Sequence, residues 1–239
     1  PIFDGDTVEQ EWKFDFGAAG TDAEDGYTLV TPDTNYVTNK EYGFLGIDVD
    51  SYKLGNRLDG FGNQKGQAIK LKAGGGTGLN DAIGSVGEDS FGNAGDVYYP
   101  TRFALKADDE AYYRVRATVT TLDTTKDAEI SLYTERKHPI FTDTKVEAGQ
   151  TKTVEFSVRP TPIYYEKSEP KGTIADGMVN VCVAGKNSAI ASIEIQKVQE
   201  YPVFWVLGDS TVTDGNCSLP FFRLQNYTGV GTGLTKYLP

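Results

Sequence analysis

The sequence predicts an all-β protein, a jelly-roll-like β-sandwich with a long Gly-rich loop, closed by a short segment of α/β character. Three observations predict it. The 239 residues include 27 Gly, 14 Tyr and 12 Phe, with abundant Thr and few Leu or Ala stretches, the balance of a strand-rich chain with many turns. Six runs between residues 97 and 198 alternate apolar and polar side chains at the spacing of a sandwich. A fully apolar run at residues 203–207, the signature of a buried parallel strand, then breaks that pattern. With 38% hydrophobic residues the chain can bury a real core.

The elements follow in order. Trp12, Phe14 and Phe16 alternate with Lys13 and Asp15, which makes residues 11–16 a half-buried strand stopped by Gly17. Trp12 falls in register with the two Phe and is expected in the core. Residues 26–30, 42–47 and 67–72 are short strand-like pieces; Pro32, Asp33 and Asn35 mark a turn between the first two. Whether the first seventy residues make a separate small sheet stays open. Residues 73–95 are rich in Gly and poor in apolar periodicity, so they read as one long surface loop. It carries no phosphate-binding GK[ST] pattern.

Strands are then predicted at 97–106, 111–122, 129–135, 151–158, 178–183 and 189–198. Side chains alternate across a strand, so one inner layer should contain Phe103, Leu105, Tyr113, Val115, Ala117, Val119, Ile130, Leu132, Val154, Phe156, Val158, Val179, Val181, Val183, Ile193 and Ile195. This sandwich is expected to fill residues 1–200, with 201–239 a separate segment.

Charge and composition exclude several functions. A net charge of −11 repels a phosphate backbone, so nucleic acid is not the partner. No apolar run is long enough to span a bilayer and no membrane contact is expected. No charged-then-apolar leader opens the chain at Pro1, so any export signal is expected to have been removed. The composition, low in Lys and Arg and high in Asp, Thr, Tyr and Asn, fits an extracellular protein. One His, two Cys and one Met are too few soft ligands for zinc, copper or haem. Cys182 and Cys217 are two free thiols or one disulfide; their spacing does not decide. Asp4-Gly5-Asp6 and Asp48-Val49-Asp50 offer the oxygens that structural calcium takes, but lack the Gly-centred, Glu-terminated loop of an EF-hand. No cofactor follows from the sequence.

Behind the apolar run stands Gly208-Asp209-Ser210-Thr211-Val212. This block resembles the first motif of the SGNH hydrolases, and its wording resembles the rhamnogalacturonan acetylesterase branch. Tyr227, Gly229 and Gly231 look like the continuation into that domain's first helix. The resemblance implies that Ser210 is a nucleophile whose own N–H helps form an oxyanion hole. Such a Ser needs a base, which the family supplies from a late Asp-x-x-His block. Residues 211–239 contain no His, and the single His138 lies far upstream beside Pro139 in a hairpin region, read as a surface residue. The chain as it stands is therefore expected to be non-catalytic, a module followed by the start of an esterase domain in a larger enzyme.

Sandwiches joined to esterases and glycanases of cell-wall degradation are, as a class, carbohydrate-binding modules, and the closing strand Ala191-Ser192-Ile193-Glu194-Ile195 looks like that group. The acidic module with its esterase start is similar to large modules of rumen cellulosomal enzymes, some of which bind xyloglucan. The resemblance implies a secreted, monomeric module that holds plant cell-wall polysaccharide for its appended catalytic domain.

Sugars present flat C–H faces that stack on aromatic rings. Neighbours on a strand point to opposite faces, so one member of each of the doublets Tyr98-Tyr99, Tyr112-Tyr113 and Tyr164-Tyr165 must leave the core. With Phe103 and Val115 inside, the outward members are Tyr98 and Tyr112, and the same parity turns Tyr133 outward. Arg102, Arg114 and Arg116 are expected on that outer face, where guanidinium forks suit pairs of hydroxyls. The binding candidates are therefore Tyr112, Tyr98, Arg114, Arg116, Tyr133 and Arg102. Neutral hemicellulose such as xyloglucan or β-glucan suits an acidic module better than polyanionic pectin, although the esterase neighbour's family points to rhamnogalacturonan.

Overall fold

The computed structural model describes residues 7–45, 71–75, 81–85, 101–135, 138–160, 163–165, 172–174 and 177–199. These form two facing β-sheets. One has seven strands: β10 (Thr151–Val158), β7 (Tyr112–Thr121), β14 (Ser188–Val198), β1 (Val8–Phe16) and β2 (Thr28–Val30) run in that order, and β5 (Asp81–Ser85) pairs with β14 and carries β4 (Leu71–Gly75). The other has five, in the order β3 (Tyr42–Phe44), β6 (Thr101–Lys106), β13 (Met178–Ala184), β8 (Ala128–Thr134) and β9 (His138–Val146). β11 (Ile163–Tyr165) and β12 (Gly172–Ile174) make a separate ribbon, and α1 (Tyr36–Asn39) is one helical turn. The protein is an all-β sandwich.

The core lies between the sheets because apolar residues occupy alternate positions on both. Tyr113, Val115, Ala117 and Val119 on β7 and Ile193 and Ile195 on β14 meet Phe103 and Leu105 on β6, Ile130 and Leu132 on β8, and Val179, Val181 and Val183 on β13; all are buried in one cluster. Phe156 and Val158 join them, while the predicted core residue Val154 is only partly buried against the same cluster. Trp12 is likewise partly buried, its ring 6.5 Å from that of Tyr113. The first strand pairs with the last over Val8 to Asp15, so the N-terminal segment is built into the large sheet, and β3 into the other.

Two expectations fail. Residues 73–95 are not one uninterrupted loop: Ala73 to Gly75 finish β4, and Asp81–Ser85 is a strand with Ala82, Ile83 and Gly84 buried. Glycine hid the pattern. A Cβ on Gly84 would collide with the carbonyl oxygen of Ser188, and one on Gly74 with that of Leu122, so these positions carry backbone-to-backbone packing where a side chain would have shown the period. The second is a strand missing from the predicted set, for His138 does lie in a hairpin, between β8 and β9, but as part of a strand. It opens β9 opposite Thr134 and is half-buried. Pro139 masked this strand, and the sheet tolerates it because β9 lies at an edge.

Cys182 is a buried free thiol, pushed up to about 12 by desolvation; Cys217 lies outside the described residues, as do both Asp-rich turns, Tyr98, the apolar run at 203–207 and the motif at Ser210. Among the described residues no helix is long and apolar enough to cross a membrane.

Candidate functional site

The two outer faces differ. On the five-stranded sheet β13 is buried on both sides: Met178, Asn180 and Cys182, which point away from the core, are as enclosed as Val179 and Val181. Arg102, paired in register with Cys182, is only 4% exposed. The seven-stranded sheet instead turns exposed polar residues outward from β7 and β10.

Register builds the open face in rows that cross the strands. In one row Ser157 on β10 stands beside Arg114 on β7, which faces Gln196 on β14, which faces Glu11 on β1. In the next, Glu155, Arg116, Glu194 and Lys13 follow in the same strand order. Opposite charges directly across a pair stabilise both the sheet and each other. Arg116 donates from Nε to Glu155 Oε1 at 2.7 Å and from Nη1 to Glu194 Oε2 at 3.3 Å. The Glu155 bond, first of all, raises the guanidinium's pKa further. Arg114 donates to the Gln196 side-chain oxygen through Nε at 2.9 Å and also through Nη2. Gln196 in turn donates to Glu11, which pairs with Lys13 at 3.2 Å.

Tyr27, just before β2, donates its hydroxyl to Glu194 Oε1 at 2.8 Å. Burial, then the bond to and charge of Glu194, push this phenol up to about 12, so it remains a donor at neutral pH. At the other end Tyr112 is half-buried with the Arg159 guanidinium 5.4 Å from its ring centre, a cation–π contact. Arg114, Arg116, Glu155, Glu194 and Gln196 line a shallow depression of about 280 Å³, open solvent included. A third row ends in the buried Asp15, its carboxyl pushed upward chiefly by desolvation.

Of the six predicted residues, Tyr112, Arg114 and Arg116 come together on this face. Arg102 does not share it: β6 belongs to the opposite sheet, and its guanidinium is buried there. Tyr133 is half-buried on that same opposite sheet, where it pairs with Cys182, and Tyr98 lies outside the described residues. Sequence reasoning missed Glu155, Glu194, Gln196 and Tyr27. Alternation within β10 and β14 puts the first three outward, but only the register reveals which arginines they face.

No family model and no curated protein matches the chain. Several solved structures are similar in part. The YxiM protein of Bacillus subtilis has a TM-score of 0.43 at 20% identity, over 86% of this chain and 46% of that one. The extracellular domain of ANXUR2 from Arabidopsis thaliana gives 0.42 at 9%, over 80% and 42%. The CBM22-1 xylan-binding domain of Paenibacillus barcinonensis Xyn10C gives 0.35 at 8%, over 58% and 85%. This chain spans less than half the length of the first two.

Proposed function

We propose that this chain is a secreted, non-catalytic module that binds plant cell-wall polysaccharide on the outer face of its seven-stranded sheet and holds it for an appended esterase or glycanase. The observation that carries the reading is the open polar depression on the face of β7 that also carries Tyr112, one side-chain repeat from Arg114. Sugar hydroxyls both donate and accept, so a surface where guanidinium and amide donors alternate with carboxylate acceptors can meet them in pairs.

Local charge favours a neutral hemicellulose such as xyloglucan or β-glucan. Although the chain as a whole stands at −11, on this surface the four cations Lys13, Arg114, Arg116 and Arg159 are matched by the four carboxylates Glu11, Glu110, Glu155 and Glu194, and all but Arg114 are in ion pairs among these. No surplus of positive charge is left for a polyanion.

The experiment is retention of the native chain on affinity gels of soluble plant polysaccharides, with and without chelator. Xyloglucan or mixed-linkage glucan should retard it, with little effect of salt or chelator. Tyr112→Ala should weaken that binding by about 1–2 kcal/mol with the fold unchanged. Retention on galacturonan or rhamnogalacturonan alone overturns the ligand, and full binding by Tyr112→Ala overturns the site.

The Gly208-Asp209-Ser210 motif favours a second reading, a carbohydrate acetylesterase with Ser210 as nucleophile. The native chain is expected to leave a fluorophosphonate probe unreacted; stoichiometric labelling of Ser210 would show an assembled catalytic site instead.

A further inference from the structure

Resting on that polysaccharide-binding reading, we propose that the site takes the interior of a linear glycan chain laid across the strands, with Tyr27 as a second ring platform opposite Tyr112. The polar rows run across the sheet, not along it. The residues lining the depression come from three adjacent strands, Glu155 from β10, Arg114 and Arg116 from β7, and Glu194 and Gln196 from β14. One bonded chain continues past them, from Glu155 through Arg116 and Glu194 to the Tyr27 hydroxyl.

Tyr27 is held in place for this role. Its hydroxyl is tied to Glu194 and the Lys13 ammonium lies 6.0 Å from its ring centre, so little rotamer freedom remains to be lost on binding. Glu194 accepts one bond on each oxygen, from Tyr27 and from Arg116. Glu155 uses Oε1 for Arg116, and its Oε2 has no protein partner among the described residues, which leaves an acceptor for a hydroxyl at the β10 end of the row, beyond β7.

The rings are far apart. β7, which carries Tyr112, and β2, beside Tyr27, are three interstrand steps apart, about 14 Å at the usual strand spacing. Arg116, in the row that ends at Tyr27, lies two side-chain repeats beyond Tyr112, about another 14 Å along the strand. A single sugar reaches one ring only, whereas several linked residues reach both.

The test is calorimetric titration of the full chain with cello-oligosaccharides from disaccharide to hexasaccharide, and with xyloglucan oligosaccharides of matching backbone length. Native affinity should rise at least tenfold from the shortest to the longest. Tyr27→Ala should abolish that rise, and Tyr27→Phe, which keeps the ring, should retain most of it. A flat length series in a native protein that still binds the polysaccharide overturns this inference and leaves the broader reading standing. Hexasaccharide binding by Tyr27→Ala equal to native does the same. The native series needs no variant, so it decides even if Tyr27→Ala folds poorly. A native protein that binds no soluble polysaccharide overturns both.

Discussion

Replacing Phe103 with Ala is expected to destabilise the protein by about 3–5 kcal/mol, the range for emptying a fully buried aromatic site. Phe103 has no exposed surface, and its ring is the centre of the contact between the sheets. Phe14 and Phe16 reach it from β1 at ring distances of 4.9 and 5.0 Å, while Phe44 stands 5.9 Å away on its own sheet. Three of these contacts are edge-to-face, the arrangement that aromatic quadrupoles favour beyond simple burial. Collapse of the hole would have to draw two sheets together along their whole length, which their ladders resist, so most of the cavity should persist. Urea denaturation should show a lower midpoint with an unchanged slope, the mark of lost stability in an intact two-state fold. An unfolding free energy within about 0.5 kcal/mol of native, the ordinary range for surface changes, would mean that the aromatic cluster does not hold the sheets together.

This cluster was half legible in the sequence. Alternation alone put Phe14, Phe16 and Phe103 on inward faces, because a two-residue period leaves only two choices per strand. It could not say that β1 and β6 belong to different sheets and face one another. The same limit explains Arg102. Its parity within the strand is outward, like that of Arg114 and Arg116, but "outward" on β6 is the opposite side of the molecule from "outward" on β7. Parity is a local property of one strand, and assignment to a sheet depends on pairing between residues far apart in sequence. Asp81–Ser85 shows a different limit. Its neighbours approach so closely that Gly84 replaces the side chain that would have signalled burial.

Sequence legibility is sharpest at Tyr112 and Tyr113, and the two should separate stability from binding. Tyr113→Ala is expected to cost about 3–5 kcal/mol of folding free energy, whereas Tyr112→Ala should fold normally and lose ligand. Tyr113 is 1% exposed within the main cluster, and its hydroxyl accepts a bond from the backbone N–H of Asp108 at 2.9 Å. Truncation therefore opens a large cavity and strips a partner from a part-buried amide. Tyr113→Phe isolates the second contribution. It keeps the ring and removes only the hydroxyl, so about 1 kcal/mol should be lost. The adjacent Tyr112 shares none of this, since its ring leaves the core and meets Arg159 instead. Thermal melts of the three variants, paired with affinity gels run well below their midpoints, give the comparison. A Tyr113→Ala protein as stable as native, or one that remains folded yet loses glycan as Tyr112→Ala does, would show that the inward and outward faces of β7 are not divided as the ladder with β14 requires.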